Sequence, residues 1–189
     1  YILEKKENDA YGYLAKFSKL IRMVLNNSQE KMLPLEQELE VLDLYIELEQ
    51  LRFDHCFEYH LDIDKTVDIN DIYIPGMLIQ PYVENAIWHG IINLKNSRKG
   101  HLRVGIELQG DMLKISISDN GVGRKKALSF QKDLRHRSVG MKLTEQRLQV
   151  INQLYGNQEA SVLITDLADE NNKAAGTKVE ITIPATPED

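Results

Sequence analysis

Three separated patches of this chain hold residue types whose spacing suits chemistry. In the segment PYVENAIWHG (residues 81–90), Glu84, Asn85 and His89 interrupt an otherwise apolar helical run, and Asn85 and His89, four apart, share a helix face. Polar groups on a helix that reads as buried need partners. They are satisfied either locally, by capping or as a hydrogen-bonded core histidine, or by a ligand. In DNGVG (residues 119–123), Asp119 stands at the end of an alternating strand. A carboxylate there can accept from an exocyclic amine, and Gly121 and Gly123 behind it permit close backbone approach to a flat ring. Taken alone, the same five residues also read as a tight turn. In SVGM (residues 138–141), Gly140 precedes a helix whose free amide donors and dipole would favour a phosphate.

These patches need elements to position them. Leu14, Phe17, Ile21 and Val24 recur at helical spacing, Asn26, Asn27 and Ser28 break the pattern, and Pro34 opens a second stripe of Leu35, Leu39, Leu42 and Ile46. Both stripes need cover, either from the chain's own core or from a partner in a helical bundle. Alternation predicts strands over 57–63, 102–108, 113–118, 160–167 and 177–183, with a short turn at Gln109, Gly110 and Asp111. Helices are predicted over 76–94 and 141–155, the latter ended by Gly156, and the stretch 121–138 has no period. This order predicts an α+β fold. It is a two-layer α/β sandwich with a mixed, mostly antiparallel sheet and helices on one face, preceded by an N-terminal helical hairpin. The expected division is a helical region over 1–52 and a second domain over 53–189.

Composition narrows the function classes. With 189 residues, 42% hydrophobic and 28% charged, the chain reads as a globular protein. Its formal net charge of -6 offers no general grip on nucleic acid or an anionic membrane. One region differs: residues 124–147 carry eight Lys or Arg against only Asp133 and Glu145, which suits a compact anion or a solvated loop. The single cysteine, Cys56, excludes a disulfide framework and a cysteine-based metal site, and makes a reducing compartment the expectation. No apolar run approaches the roughly 18 residues of a membrane span. The chain opens on Tyr1 rather than Met and reads as a fragment, which leaves room for membrane segments upstream.

Together the patches are more specific than any one of them. The series ENAIWHG, DNGVG after a strand, VGM before a helix, and Gly176 and Thr177 in GTKVEITIP resembles the GHKL ATP-binding superfamily. The upstream segments PLEQELEVLDLYIELEQLRF and IPGMLIQPYVENAI resemble more narrowly the LytS-type sensor histidine kinases, over nearly the whole chain. The resemblance implies ATP as substrate, with Asn85 coordinating the Mg²⁺ that bridges its phosphates. It also implies Asp119 as reader of the adenine amine. Gly121 and Gly123 would shape the adenine end, Gly140 the phosphate side, and Thr177 would place a hydroxyl near the base. His89 matches the family's His-Gly pair, and residues 124–138 match the ATP lid.

Departures from the family pattern are local. Family members commonly have lysine three residues after the asparagine, where this chain has Trp88, so Lys142 or a lid arginine would have to supply that cation. Ser138 and Leu143 stand where the family usually has glycine and asparagine. None of His55, His60, His89, His101 and His136 sits in the His-Phe motif of a phospho-acceptor. The expected activity is therefore that of a protein-histidine kinase whose γ-phosphoryl acceptor lies outside the fragment, which would not phosphorylate itself. The implied partners are a second copy of the chain and a response regulator, and the implied setting is the cytoplasmic part of a bacterial inner-membrane sensor. Two alternatives stand beside this. A GHKL ATP hydrolase would need a glutamate four residues before Asn85, where Pro81 is found; Glu84 is not its equivalent, although it is the one candidate catalytic group nearby. A degenerate, nucleotide-independent dimerisation module would leave the pocket empty.

Overall fold

The computed structural model describes residues 7–28, 30–95, 97–124, 126–127 and 160–185. In chain order these form α1 (Glu7–Asn27), β1 (Leu33–Pro34), α2 (Leu35–Arg52), β2 (Phe57–Ile63), β3 (Tyr73–Ile74) and α3 (Gln80–Asn85). A π-helical segment (Ala86–Ile91) and a 3₁₀ turn (Ile92–Leu94) prolong α3, and β4 (Gly100–Gln109), β5 (Met112–Asp119), β6 (Ser161–Ala168) and β7 (Ala174–Pro184) follow. The expected helix over 141–155 lies outside the described residues.

The alternating strands build one five-stranded sheet in the order β2-β4-β5-β7-β6. Its β2/β4 pair is parallel and the other pairs are antiparallel. Register follows the two-residue period. Leu102, Val104, Ile106, Leu113, Ile115, Ile117, Val179, Ile181 and Ile183 all turn to one buried face. The opposite face keeps charge on the surface, with Lys114 and Lys178 both bonded to Glu180 and Lys99 to Glu58. Ion pairs so near the surface add little stability. The turn between β4 and β5 is two residues long, and Gly110 takes φ +62° there, as tight hairpins require.

The helices cover the apolar face. Leu35, Leu39, Leu42 and Ile46 of α2 enter the same buried cluster as the sheet, together with Tyr82, Val83, Ala86, Ile87 and Ile91. A fully buried aliphatic side chain contributes about 1.5–3 kcal/mol, so this stripe ties α2 firmly to the sheet. Its other side, through Val41 and Leu48, packs on Leu20 of α1, with Val24 of α1 beside them. Of the α1 stripe, Val24 thus meets α2, whereas Leu14, Phe17 and Ile21 point outward.

One predicted element begins and ends differently. The helix expected over 76–94 starts only at Gln80, because Pro81 lacks an amide hydrogen and fits in a first turn. Just upstream, Met77 takes φ +61°, and a buried carboxylate from α2, Glu38, accepts from the amides of Met77 (2.8 Å) and Ile79 (3.1 Å). After Asn85 the helix widens into π geometry. The pairing of β1 with β3, Leu33 opposite Ile74, has no periodic signature in so short a run.

Candidate nucleotide site

α3 and its π-helical extension lie against the ends of β5 and β7 and leave a cleft between them. Asn85, His89, Asp119, Gly123 and Thr177 all line it, with an apolar wall of Tyr82, Ala86, Ile117, Ile164 and Val179. The cleft encloses about 660 Å³, solvent at its mouth included. Five of the residues singled out in the sequence are thereby brought to one place.

Asp119 is the electrostatic centre of this cleft. It closes β5 opposite Thr177 and is only 6% exposed. Its Oδ1 accepts from the Gly121 amide at 2.7 Å. Burial pushes its carboxyl up to about 6, against the lowering effects of the Gly121 and Thr177 amides and the Arg98 charge. A carboxylate kept in an apolar wall is a strong acceptor for a donor that enters the cleft.

Glycine is required where the two walls meet. A Cβ on Gly90 would lie 2.7 Å from Asp119 Oδ1, and one on Gly121 would lie 2.4 Å from the Gly90 Cα. The Val122 amide also donates to the Gly90 carbonyl at 3.2 Å. Gly121 therefore does not line the cleft but stands directly behind Asp119. Gly90, the glycine of the His-Gly pair, is thus itself a site residue. A glycine inside a helical run with no capping role is the signal that could have marked it.

Asn120 and Arg98 brace this loop from outside. Asn120 accepts from the His101 amide at 2.7 Å and donates to the Lys99 carbonyl at 3.0 Å. Arg98 donates to the carbonyls of Asn120 and Gly121. Neither residue was anticipated, because both act through backbone groups whose positions only the fold brings together. At the cleft mouth Arg124, the first residue of the basic stretch, grips Asp166 of β6 with two bonds of 2.7 and 3.1 Å.

Other expected residues lie elsewhere. Glu84 does not line the cleft. It accepts from Gln80 Nε2 at 2.9 Å and lies close enough to Tyr45 of α2 to act, after burial and Glu49, in holding that phenol protonated. A water-activating role for Glu84 in the cleft therefore has no geometric support. Gly140 and Lys142, with Ser138, Leu143 and nearly all of the basic segment, lie outside the described residues.

The cleft fits the magnesium and nucleotide that the resemblance implies. A buried acceptor, a glycine-lined approach and an amide side chain share one opening, which is the donor set that a purine and a hard cation would use. Among the described residues no group of three or more His, Cys, Asp or Glu could hold a metal by itself. A cation here would need oxygens from the nucleotide.

The fold is that of a histidine kinase domain. The histidine kinase domain of the Erythrobacter litoralis EL346 blue-light activated histidine kinase superposes with a TM-score of 0.55, at 15% identity, over 92% of this chain and 75% of that one. The histidine kinase family itself matches residues 1–57. In sequence, the sensor protein LytS of Staphylococcus epidermidis is 36% identical over 110 residues, covering 58% of this chain and 18% of that protein. LytS of Enterococcus faecalis is 27% identical over 192 residues, covering 100% of this chain and 31% of that protein. The chain is thus a relative of the LytS-type sensor histidine kinases and spans between 18% and 31% of the length of these two.

Proposed function

We propose that this chain is the ATP-binding catalytic region of a two-component sensor histidine kinase. The observation that carries the proposal is the convergence of Asp119 and Asn85 on one cleft, with Gly90 and Gly121 drawn in behind the carboxylate. In this reading the Asp119 carboxylate accepts from the adenine amine, and the apolar wall of Ile117, Ile164 and Val179 lies along the base. Thr177 adds a hydroxyl at the adenine end, and His89 lines the same opening as Asn85. Asn85 would hold the Mg²⁺, whose contribution would be to neutralise charge on the triphosphate. The γ-phosphoryl group then passes to a histidine nitrogen outside these residues, as the bond to the β-phosphate oxygen breaks and ADP leaves. Positioning and charge neutralisation carry such a transfer, without a covalent intermediate on this region.

The remaining roles follow the same reading. Gly123 shapes the adenine end and the lid hinge, Gly140 belongs to the phosphate side, and Lys142 or a lid arginine supplies a cation there. Residues 1–52 form the helical dimerisation part and 53–189 the nucleotide-binding part, with α2 sharing its core with the sheet. An outward stripe on α1, with Leu14, Phe17 and Ile21 each 45% or more exposed, supports a homodimer. A response regulator receives the phosphoryl group from the histidine. In the whole protein this region hangs on the cytoplasmic side of a bacterial membrane sensor. No helix among the described residues is long and apolar enough to cross a membrane.

Calorimetric titration with ATP or ADP and Mg²⁺ tests the proposal. Binding is expected, and Asp119→Asn should weaken it by about 10–100-fold, the worth of a charge-assisted hydrogen bond. Asn85→Ala should reduce chiefly the Mg²⁺ dependence. A wild-type protein that takes up neither nucleotide would instead be an interaction module with an empty pocket.

A further inference from the structure

The helical run that carries Asn85 and His89 is held from two sides. On the cleft side, Gly90 packs on Asp119 and Gly121. On the far side, α2 touches it at three levels. Glu38 accepts from the amides of Met77 and Ile79 where the run begins. Higher up, the indole N–H of Trp88 donates to the Tyr45 hydroxyl at 3.2 Å. At the end of α2, the Arg52 guanidinium lies 4.7 Å from the centroid of the Trp88 ring, and Phe53 meets that ring edge-on at 5.3 Å.

Trp88 is the only tryptophan in the chain, three residues after Asn85 and one before His89. Its backbone is tied down as well: Asn93 Nδ2 donates to the carbonyls of both Trp88 (3.1 Å) and His89 (3.0 Å) within the π-helical segment. Single-turn π-helical segments recur at functional sites, where they re-aim side chains. None of Tyr45, Arg52, Phe53 and Trp88 lines the cleft. Any shift of α2 along the sheet must therefore drag the Trp88 ring, and with it the backbone of Asn85 and His89, or break the stack.

Resting on the nucleotide reading above, we infer that Trp88 is a positioning residue that couples α2 to Asn85 and His89. The register of α2 thereby sets how well the cleft holds magnesium nucleotide. Coupling of this kind acts on affinity and its metal dependence, through a ring that never touches the ligand.

The test uses calorimetry with MgADP and the emission of the sole tryptophan. In the wild-type protein MgADP should change Trp88 emission although Trp88 stands outside the cleft. Arg52→Gln should weaken MgADP binding by about three- to tenfold, the scale of a cation–π contact, and shrink the emission change. Tyr45→Phe should do the same to a lesser degree. Trp88→Phe keeps a ring beneath Arg52 but loses the bond to Tyr45, so it should weaken MgADP binding about as much as Tyr45→Phe and less than Arg52→Gln. Arg52→Gln and Asn85→Ala should combine less than additively, as coupled residues do. Arg52 is exposed, so its variant should fold, and thermal melts check this. If wild type binds MgADP but Arg52→Gln leaves affinity unchanged and is fully additive with Asn85→Ala, the coupling is overturned and the nucleotide reading stands. If wild type does not bind MgADP, both fall.

Discussion

α1 and α2 are neighbouring helices whose apolar stripes have opposite fates. In α2, Leu35, Leu39, Leu42 and Ile46 are at most 5% exposed, sealed between the helix and the sheet. In α1, Tyr11, Leu14, Phe17, Ile21 and Leu25 are between 45% and 72% exposed, while Leu20 faces α2. Both stripes have helical periodicity, so periodicity alone reports that a face is apolar and leaves open what covers it. The α2 stripe is internal structure. The α1 stripe is left uncovered among the described residues.

The comparison breaks most readily at Leu42. Leu42→Ala should lower the free energy of unfolding by about 2–5 kcal/mol, because the cavity opens between α2 and the sheet; chemical denaturation measures it. A loss below about 1 kcal/mol would show that α2 is not part of the core.

Asp119 sharpens the contrast next, as a buried group that weakens the fold it serves. Its carboxyl is raised from 3.8 to about 6, so in that window the native protein keeps a proton that the unfolded chain has released. Stability should therefore fall as pH rises from about 4 to 6, by up to about 3 kcal/mol, and Asp119→Asn should flatten that slope. Denaturation midpoints across this range check the sign. Nucleotide affinity should run the other way, rising as the carboxylate ionises.

The smallest effect on unfolding is expected on α1. Phe17→Glu and Ile21→Glu should change monomer stability by less than about 0.5 kcal/mol, the usual scale for surface substitutions. Their consequence should appear in sedimentation velocity, as a shift from dimer to monomer at concentrations where the parent self-associates. If the parent sediments as a monomer, the outward stripe serves a different partner.

Much of the sheet was readable before any coordinates. β2 spans the predicted residues, and β4, β5, β6 and β7 differ from prediction only at their ends, because a two-residue period with polar residues between survives any packing. Asp119 and Asn85 were recognisable because a carboxylate ending a strand and an amide on an apolar helix are unusual. Gly90, Arg98 and Asn120 were not. Their roles depend on contacts with backbone some 20 to 30 residues away, for which a linear pattern carries no signal. The break at Asn85 into π geometry was likewise hidden, since apolar residues continue across it.

What the amino-acid order determined by itself is the set of strands, the presence of two helices with apolar stripes, and the residue types fit to hold a purine and a metal. Those are local properties, set by side-chain chemistry and the periods of helix and strand. Only the tertiary structure decided that Asp119 and Asn85 share a cleft, that Glu84 does not line it, and that α2 but not the outer face of α1 is sealed. Each of these turns on which distant surfaces exclude water from one another, and that exclusion exists only once the chain has closed.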